Sequence, residues 1–204
     1  MGHCKFDIAK LEKLNDPARF ESLPPDVFFA ALDVPDGPSV IVEIGAGTGL
    51  FAEAIAERAP EATVYVADIA EEAIEWMRDN RAGVAEGRIV PVLAEETRVP
   101  LDDEVADALY MINIHHEFVD PAASYREALR LLKPGGRLLV VDWAARETPK
   151  GPPQAVRVTL SGLAECLEDA GFIDVAVDDS TLPWHTMATA AAPGAQRSRN
   201  RHRS

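Results

Sequence analysis

Residues able to do chemistry gather around one glycine loop in this chain of 204 residues. In VIVEIGAGTGLF, a β-branched run ends at Ile44, and Gly45, Gly47 and Gly49 follow at alternate positions before a helical segment. Glycine is needed at such a turn because the backbone bends sharply and a ligand approaches too closely for a Cβ. The spacing is GxGxG, whereas a pyrophosphate-binding loop reads GxGxxG or GxGxxA, and its third small position is held here by Leu50. Two carboxylates frame the loop. Asp68, at the end of the next apolar run, is placed to accept hydrogen bonds from ribose hydroxyls, and Glu43, just before the loop, repels phosphate and favours a cationic group. Together they suit an adenosyl ligand that carries positive charge and disfavour a nicotinamide cofactor.

A second group follows the apolar run at 107–113. In Asn113-Ile114-His115-His116-Glu117-Phe118 the polar residues fall at the carboxyl edge of a strand, where open α/β sheets bind their ligands. His116, with an ordinary pKa of ~6.5, is a candidate general base, and the competing reading is an imidazole that caps the nearby helix. His3, His115, His116, Glu117 and Asp142 are all potential metal ligands, but adjacent histidines point apart and the spacing fits no metal motif, so no metal is expected. Cys4 and Cys166 form no CxxC pair.

Three zones position these residues. Residues 1–38, rich in proline and charge, read as a helical cap, and 39–190 alternate β-branched runs with helical periods, as βαβ units do. Residues 191–204, AAPGAQRSRNRHRS, read as a disordered, arginine-rich tail. Within the middle zone, strands are expected at 40–44, 63–67, 88–93 and 107–113, with helices over 50–58, 70–81 and from Pro121. Leu129 and Leu132 are expected on the core face of the helix from Pro121, and Lys133-Pro134-Gly135-Gly136 should stop it before a strand over 137–142. A helix over 158–170 and two closing runs at 172–177 and 185–190 complete the pattern, the last two as an antiparallel pair.

The chain carries a net charge of −14, and without the four tail arginines 16 basic side chains face 34 acidic ones. Such a body repels a phosphate backbone, so nucleic acid is not an expected partner. The amino terminus lacks an apolar leader and no apolar run is long enough for a membrane span, which leads to the expectation of a cytoplasmic, membrane-free protein.

EIGAGTG, the acid in VADIA and the later LKPGG before a strand resemble the class I S-adenosylmethionine-dependent methyltransferases. The resemblance covers about residues 39–190 and implies a Rossmann-like, seven-stranded, mostly parallel sheet with helices on both faces and an antiparallel last strand. HCKFD, KLEKLNDPARF with LPP, HHEF and DWAARETPKGPP further resemble a bacterial and archaeal subgroup of small methyltransferases near the quinone-biosynthesis C-methyltransferases. In that pattern Cys4 is an insertion.

The resemblance implies S-adenosyl-L-methionine as cofactor and a small-molecule methyl acceptor. Gly45, Ala46, Gly47 and Gly49 would face its methionine part, Glu43 its amino group, Asp68 the ribose hydroxyls, and Ile69 the adenine. Glu95 or Glu96 would hold the adenine amino group, with Ala94 as a backbone contact and Asn113 nearby. His3, Phe6, His115, Glu117, Asp142 and Trp143 would line the acceptor side, with Phe6 or Trp143 facing the sulfonium. The absence of an Asn/Asp-Pro-Pro-aromatic motif disfavours nucleobase N6 methylation, and two cysteines are too few for arsenite methylation. The rival expectations are a nicotinamide-dependent oxidoreductase and a nucleoside-binding module without catalysis.

Overall fold

The computed structural model describes residues 13–194, and β1 (Val40–Ile44) is an interior strand of its sheet. All five residues of β1 are apolar except Glu43, and its central three are buried, as a strand covered on both faces must be. The other strands are β2 (Thr63–Asp68), β3 (Ile89–Leu93), β4 (Ala106–Ile112), β5 (Leu132–Trp143), β6 (Ile173–Asp178) and β7 (His185–Ala191). Their order is β3-β2-β1-β4-β5-β7-β6. The first five run parallel, and β7 is antiparallel to both β5 and β6.

Helices α1 (Pro25–Leu32), α2 (Leu50–Arg58) and α3 (Glu71–Asn80) cover one face, where Phe28, Phe51, Ile55 and Met77 meet Ile41, Val64 and Tyr110. A one-turn helix, α4 (Ala82–Ala85), follows α3. On the other face, α5 (Pro121–Leu131) and α6 (Leu160–Ala170) bury Tyr125, Leu131, Leu163 and Leu167 against Leu109, Leu138 and Val140. Asp120 and Thr159 cap these two helices through the amides of Ala123 and Gly162, and Gly171, with positive φ, ends α6.

Several local expectations need correction, among them the helix expected over 158–170, which begins at Leu160 because Thr159 is its N-cap. The helix expected over 70–81 begins at Glu71 because Ala70 is its extended N-cap, and it ends at Asn80. Leu129 and Leu132 do pack in the core beside Leu131, Leu129 half-buried, but Leu132 already belongs to β5 rather than to α5. Lys133–Gly136 do not separate helix from strand. They form an irregularity inside β5, between the pairings of Leu132 with Ala106 and Arg137 with Ala108, and Gly136 fits there because a Cβ would meet Lys133 O at 2.9 Å. The tail boundary also moves: Ala191 ends β7, and buried Ala192 exchanges hydrogen bonds with Gly135 and Gly136. No helix among the described residues is long and apolar enough to cross a membrane.

Candidate active site

At the carboxyl end of β1, the amides of Gly45 and Ala46 both donate to Ala67 O, which pulls the loop over the tip of β2. Gly45, Gly47 and Gly49 all have positive φ, yet each is small for a different reason. A Cβ on Gly45 would lie 2.5 Å from Ile114 Cγ1, so this glycine lets the loop abut the end of β4. Gly47 meets only Leu14 Cδ1 at 3.3 Å and presents its backbone to a cavity of about 920 Å³. Gly49 does not border the cavity. A Cβ there would lie 2.9 Å from Met77 Sδ, so its expected ligand role gives way to close packing of α2 on α3.

The cavity runs along the carboxyl edge of β1, β2 and β4. Asp68 borders it half-buried, and its carboxylate accepts from Gly47 N at 2.7 Å and Ala70 N at 2.9 Å. Burial raises its pKa, opposed by these backbone bonds. Beside it, Ile69, Leu93 and Val119 are 60%, 47% and 83% exposed, three large apolar side chains that border one cavity. An exposed apolar group is ordinary singly, but three around a hollow fit a flat apolar ring. Ala94 and Glu95 also border the cavity, and Glu95 is exposed, its backbone paired with Arg98 across a tight turn that includes Glu96.

At the other end, Glu43 is buried and accepts a hydrogen bond from Tyr110 Oη at 3.0 Å across the β1–β4 pairing. Burial pushes its carboxyl up to about 8, despite the Tyr110 bond and the charges of Arg19 and Arg81. Asn113 closes this end in a left-handed conformation (φ 58°), with its buried Oδ1 unpartnered among the described residues. A strained residue with an orphaned acceptor beside a cavity points to a ligand. The cradle, the carboxylates, the apolar rim and this orphan together fit an adenosyl amino acid.

The residues expected on the acceptor side form a separate group. His116 Nδ1 lies 2.9 Å from Oδ1 of the fully buried Asp142, which leaves Nε2 as the proton-accepting atom. Burial works against protonation of His116, but the bond and charge of Asp142, with help from Glu117, win and raise its pKa. His115 turns the other way, its Nδ1 2.6 Å from Tyr125 Oη, and burial lowers its pKa. Of this group Glu117 borders the cavity, whereas His115, His116, Asp142 and Trp143 do not. His3 and Phe6 lie outside the described residues, and no cluster of three or more metal-ligating side chains occurs among the described ones.

Three residues not singled out from the sequence join the two groups. His185, paired with Trp143 across β5 and β7, is buried with its ring 4.3 Å from the indole, and both ring nitrogens are unpartnered among the described residues. Burial pushes its pKa down to about 4, so it is neutral. Arg157 gathers the segment after β5, donating to the carbonyls of Ala144, Arg146, Lys150 and Pro152 and lying over Trp143. Arg19 reaches the cavity beside Glu43. Nothing in the sequence marks His185, which looks like an ordinary first strand residue.

Residues 42–140 match a family profile described as a methyltransferase domain. The chain is 35% identical over 109 residues to a demethylmenaquinone methyltransferase of Clavibacter sepedonicus, covering 53% of this chain and 43% of that protein. It is 33% identical over 132 residues to an uncharacterized methyltransferase of Mycobacterium tuberculosis, covering 64% and 49%. The chain thus spans less than half the length of these curated relatives. Among solved structures, a SAM dependent methyltransferase from Aquifex aeolicus superposes with a TM-score of 0.83 at 26% identity, over 92% of this chain and all of that one.

Proposed function

From its membership of the class I S-adenosylmethionine-dependent methyltransferases, to which this chain belongs, we propose that it moves a methyl group from S-adenosyl-L-methionine to a small-molecule acceptor. The observation that carries this reading is the Gly45–Gly47 cradle set between Glu43 and Asp68, opening on a cavity of about 920 Å³. When bound, the cofactor supplies an electrophilic methyl on a positively charged sulfur, which becomes a neutral thioether as the acceptor–carbon bond forms.

The chain's own residues bind, orient and accept a proton. Asp68, held by two backbone amides, is aimed to accept from ribose hydroxyls, and Ile69 and Leu93 offer apolar surface to the adenine. Glu43 faces the amino-acid end, where an ammonium would favour its ionised form over the neutral one that burial imposes. His116, oriented by Asp142 through Nδ1, is the group that would take a proton at Nε2 from an acceptor hydroxyl, thiol or carbon acid. Alignment of donor and acceptor supplies much of the rate in such displacements, up to ~7–11 kcal/mol in favourable intramolecular cases. Chemistry at His116 therefore adds to a reaction that positioning already drives.

Parallel calorimetric titrations of the purified chain with S-adenosylmethionine, S-adenosylhomocysteine and NAD test the reading. Saturable binding of the two adenosyl ligands and none of NAD is expected. Folded, ligand-free protein that binds neither adenosyl ligand overturns the proposal.

A further inference from the structure

At the Glu43 end of the cavity a second charge, Arg19, arrives from the segment before α1. Its Nη1 donates to Leu14 O at 2.8 Å and its guanidinium lies 4.8 Å from the centre of the Phe51 ring, which fixes the plane of the fork. Nε and Nη2 make no hydrogen bond among the described residues, and no described carboxylate forms an ion pair with it. Asp16, three residues before it, accepts from the amide of Ala18, and Glu21, two residues after it, forms no ion pair with it among the described residues. Glu43 is close enough for each to feel the other's charge, yet the two are not joined. A half-buried guanidinium with spare donors and a buried carboxyl group thus border one end of one cavity, unpaired with each other.

That arrangement matches a zwitterion. An α-amino acid carries an ammonium and a carboxylate on one carbon, and a planar fork is the side chain best suited to a carboxylate. We propose that Arg19 binds the α-carboxylate of the cofactor's methionine moiety while Glu43 faces its ammonium, so that the segment before α1 is part of the cofactor site. This rests on the methyltransferase reading above and assigns a residue to one end of the ligand.

Arg81 holds that segment in place. Its Nε donates to Thr48 O of the glycine loop at 2.6 Å, its Nη2 donates to Asn15 Oδ1, and its guanidinium lies 5.0 Å from the Trp76 ring. One side chain therefore ties the glycine loop to the turn that delivers Arg19, and the two parts of the cleft keep a fixed separation.

The test uses the whole chain and three probes in calorimetry: S-adenosylhomocysteine, its decarboxylated analogue 5′-deoxy-5′-(3-aminopropylthio)adenosine, and 5′-methylthioadenosine, which lacks the amino-acid end. Arg19→Met, which keeps an apolar stem over Phe51, is expected to bind S-adenosylhomocysteine about 10- to 100-fold more weakly, the range of a charged hydrogen-bonded pair. It should bind the decarboxylated analogue and methylthioadenosine within about twofold of the unaltered chain, since neither has a carboxylate to lose. The unaltered chain should itself prefer S-adenosylhomocysteine to the decarboxylated analogue by a similar factor, a comparison that needs no variant to fold. Equal affinity of the unaltered chain for those two ligands overturns the inference, and so does an equal loss for all three probes in Arg19→Met. Failure of the unaltered chain to bind any adenosyl ligand instead overturns the methyltransferase reading.

Discussion

The carboxyl edge of this sheet has two halves built on different principles. Over β1, β2 and β4, polar groups border an open cavity and keep unsatisfied capacity: the Asp68 carboxylate, with room beyond its two backbone bonds, and the orphaned Asn113 Oδ1. Over β5 and β7, the groups are buried among themselves, with Asp142 on His116, Trp143 on His185, and Arg157 spending its donors on the loop carbonyls. The first half is preorganised for one shape of ligand. The second is held closed by its own contacts.

Substitutions on each side sharpen or break this contrast. The largest effect is expected for Gly45→Ala, where positive φ and a Cβ 2.5 Å from Ile114 must push the loop off β4. S-adenosylhomocysteine affinity should fall by about 100-fold or more, together with a lower melting temperature, as backbone strain and overpacking combine. An alanine variant that binds normally would show that the loop is not rigid.

Next comes Glu43→Gln, read through pH. Because burial raises the Glu43 carboxyl from 4.5 to about 8, its contribution to stability is fully present below pH 4.5 and is lost as pH rises through about 8. Between those limits the wild type should lose on the order of 5 kcal/mol that the glutamine variant keeps, measured by denaturant unfolding at several pH values. Parallel pH profiles for the two proteins would show that Glu43 is ionised in the folded chain.

On the acceptor side, Asp142→Asn removes the charge that raises the His116 pKa, so the imidazole midpoint followed by NMR should drop. The sign follows from linkage: wild-type stabilisation by this pair is present below the ordinary histidine pKa near 6.5 and fades as pH rises through the raised midpoint. An unmoved midpoint would break the dyad. S-adenosylhomocysteine binding should stay the same, since neither residue borders the cavity.

The smallest effect is expected from His185→Phe. Keeping the ring against Trp143 while deleting two unpartnered nitrogens should leave the ligand-free fold unchanged or stabilise it by about 1 kcal/mol, because a desolvation cost disappears. A melting temperature that falls by several degrees would show that the imidazole has a partner after all.

Legibility in the sequence divides along the same line. The cradle could be read because strand, turn and helix lie within VIVEIGAGTGLF, and the physics of a tight turn at Gly45 and Gly47 is local. Gly49 matched the same spacing for a different reason, packing against Met77, which spacing cannot distinguish. The LKPGG run read as a helix stop, since proline and glycine break helices wherever they fall. That it would be absorbed inside β5 depended on Ala106, Ala108 and Ala192, residues brought there by the sheet.

His116 and Asp142 were each suspected, but their bond joins residues 26 apart, and His185 reaches Trp143 only through an antiparallel register. Arg19 sat unmarked in a charged segment until the fold brought it to the cavity beside Glu43. What the sequence by itself determined is the order of strands and helices, the adenosyl-type loop and its two acids, because those depend on periodicity and on turns a few residues long. Which side chains face the ligand, which carboxyl is neutral, and which histidine has a carboxylate behind it were decided by tertiary structure. Burial and long-range pairing set those properties, and both belong to the packed sheet.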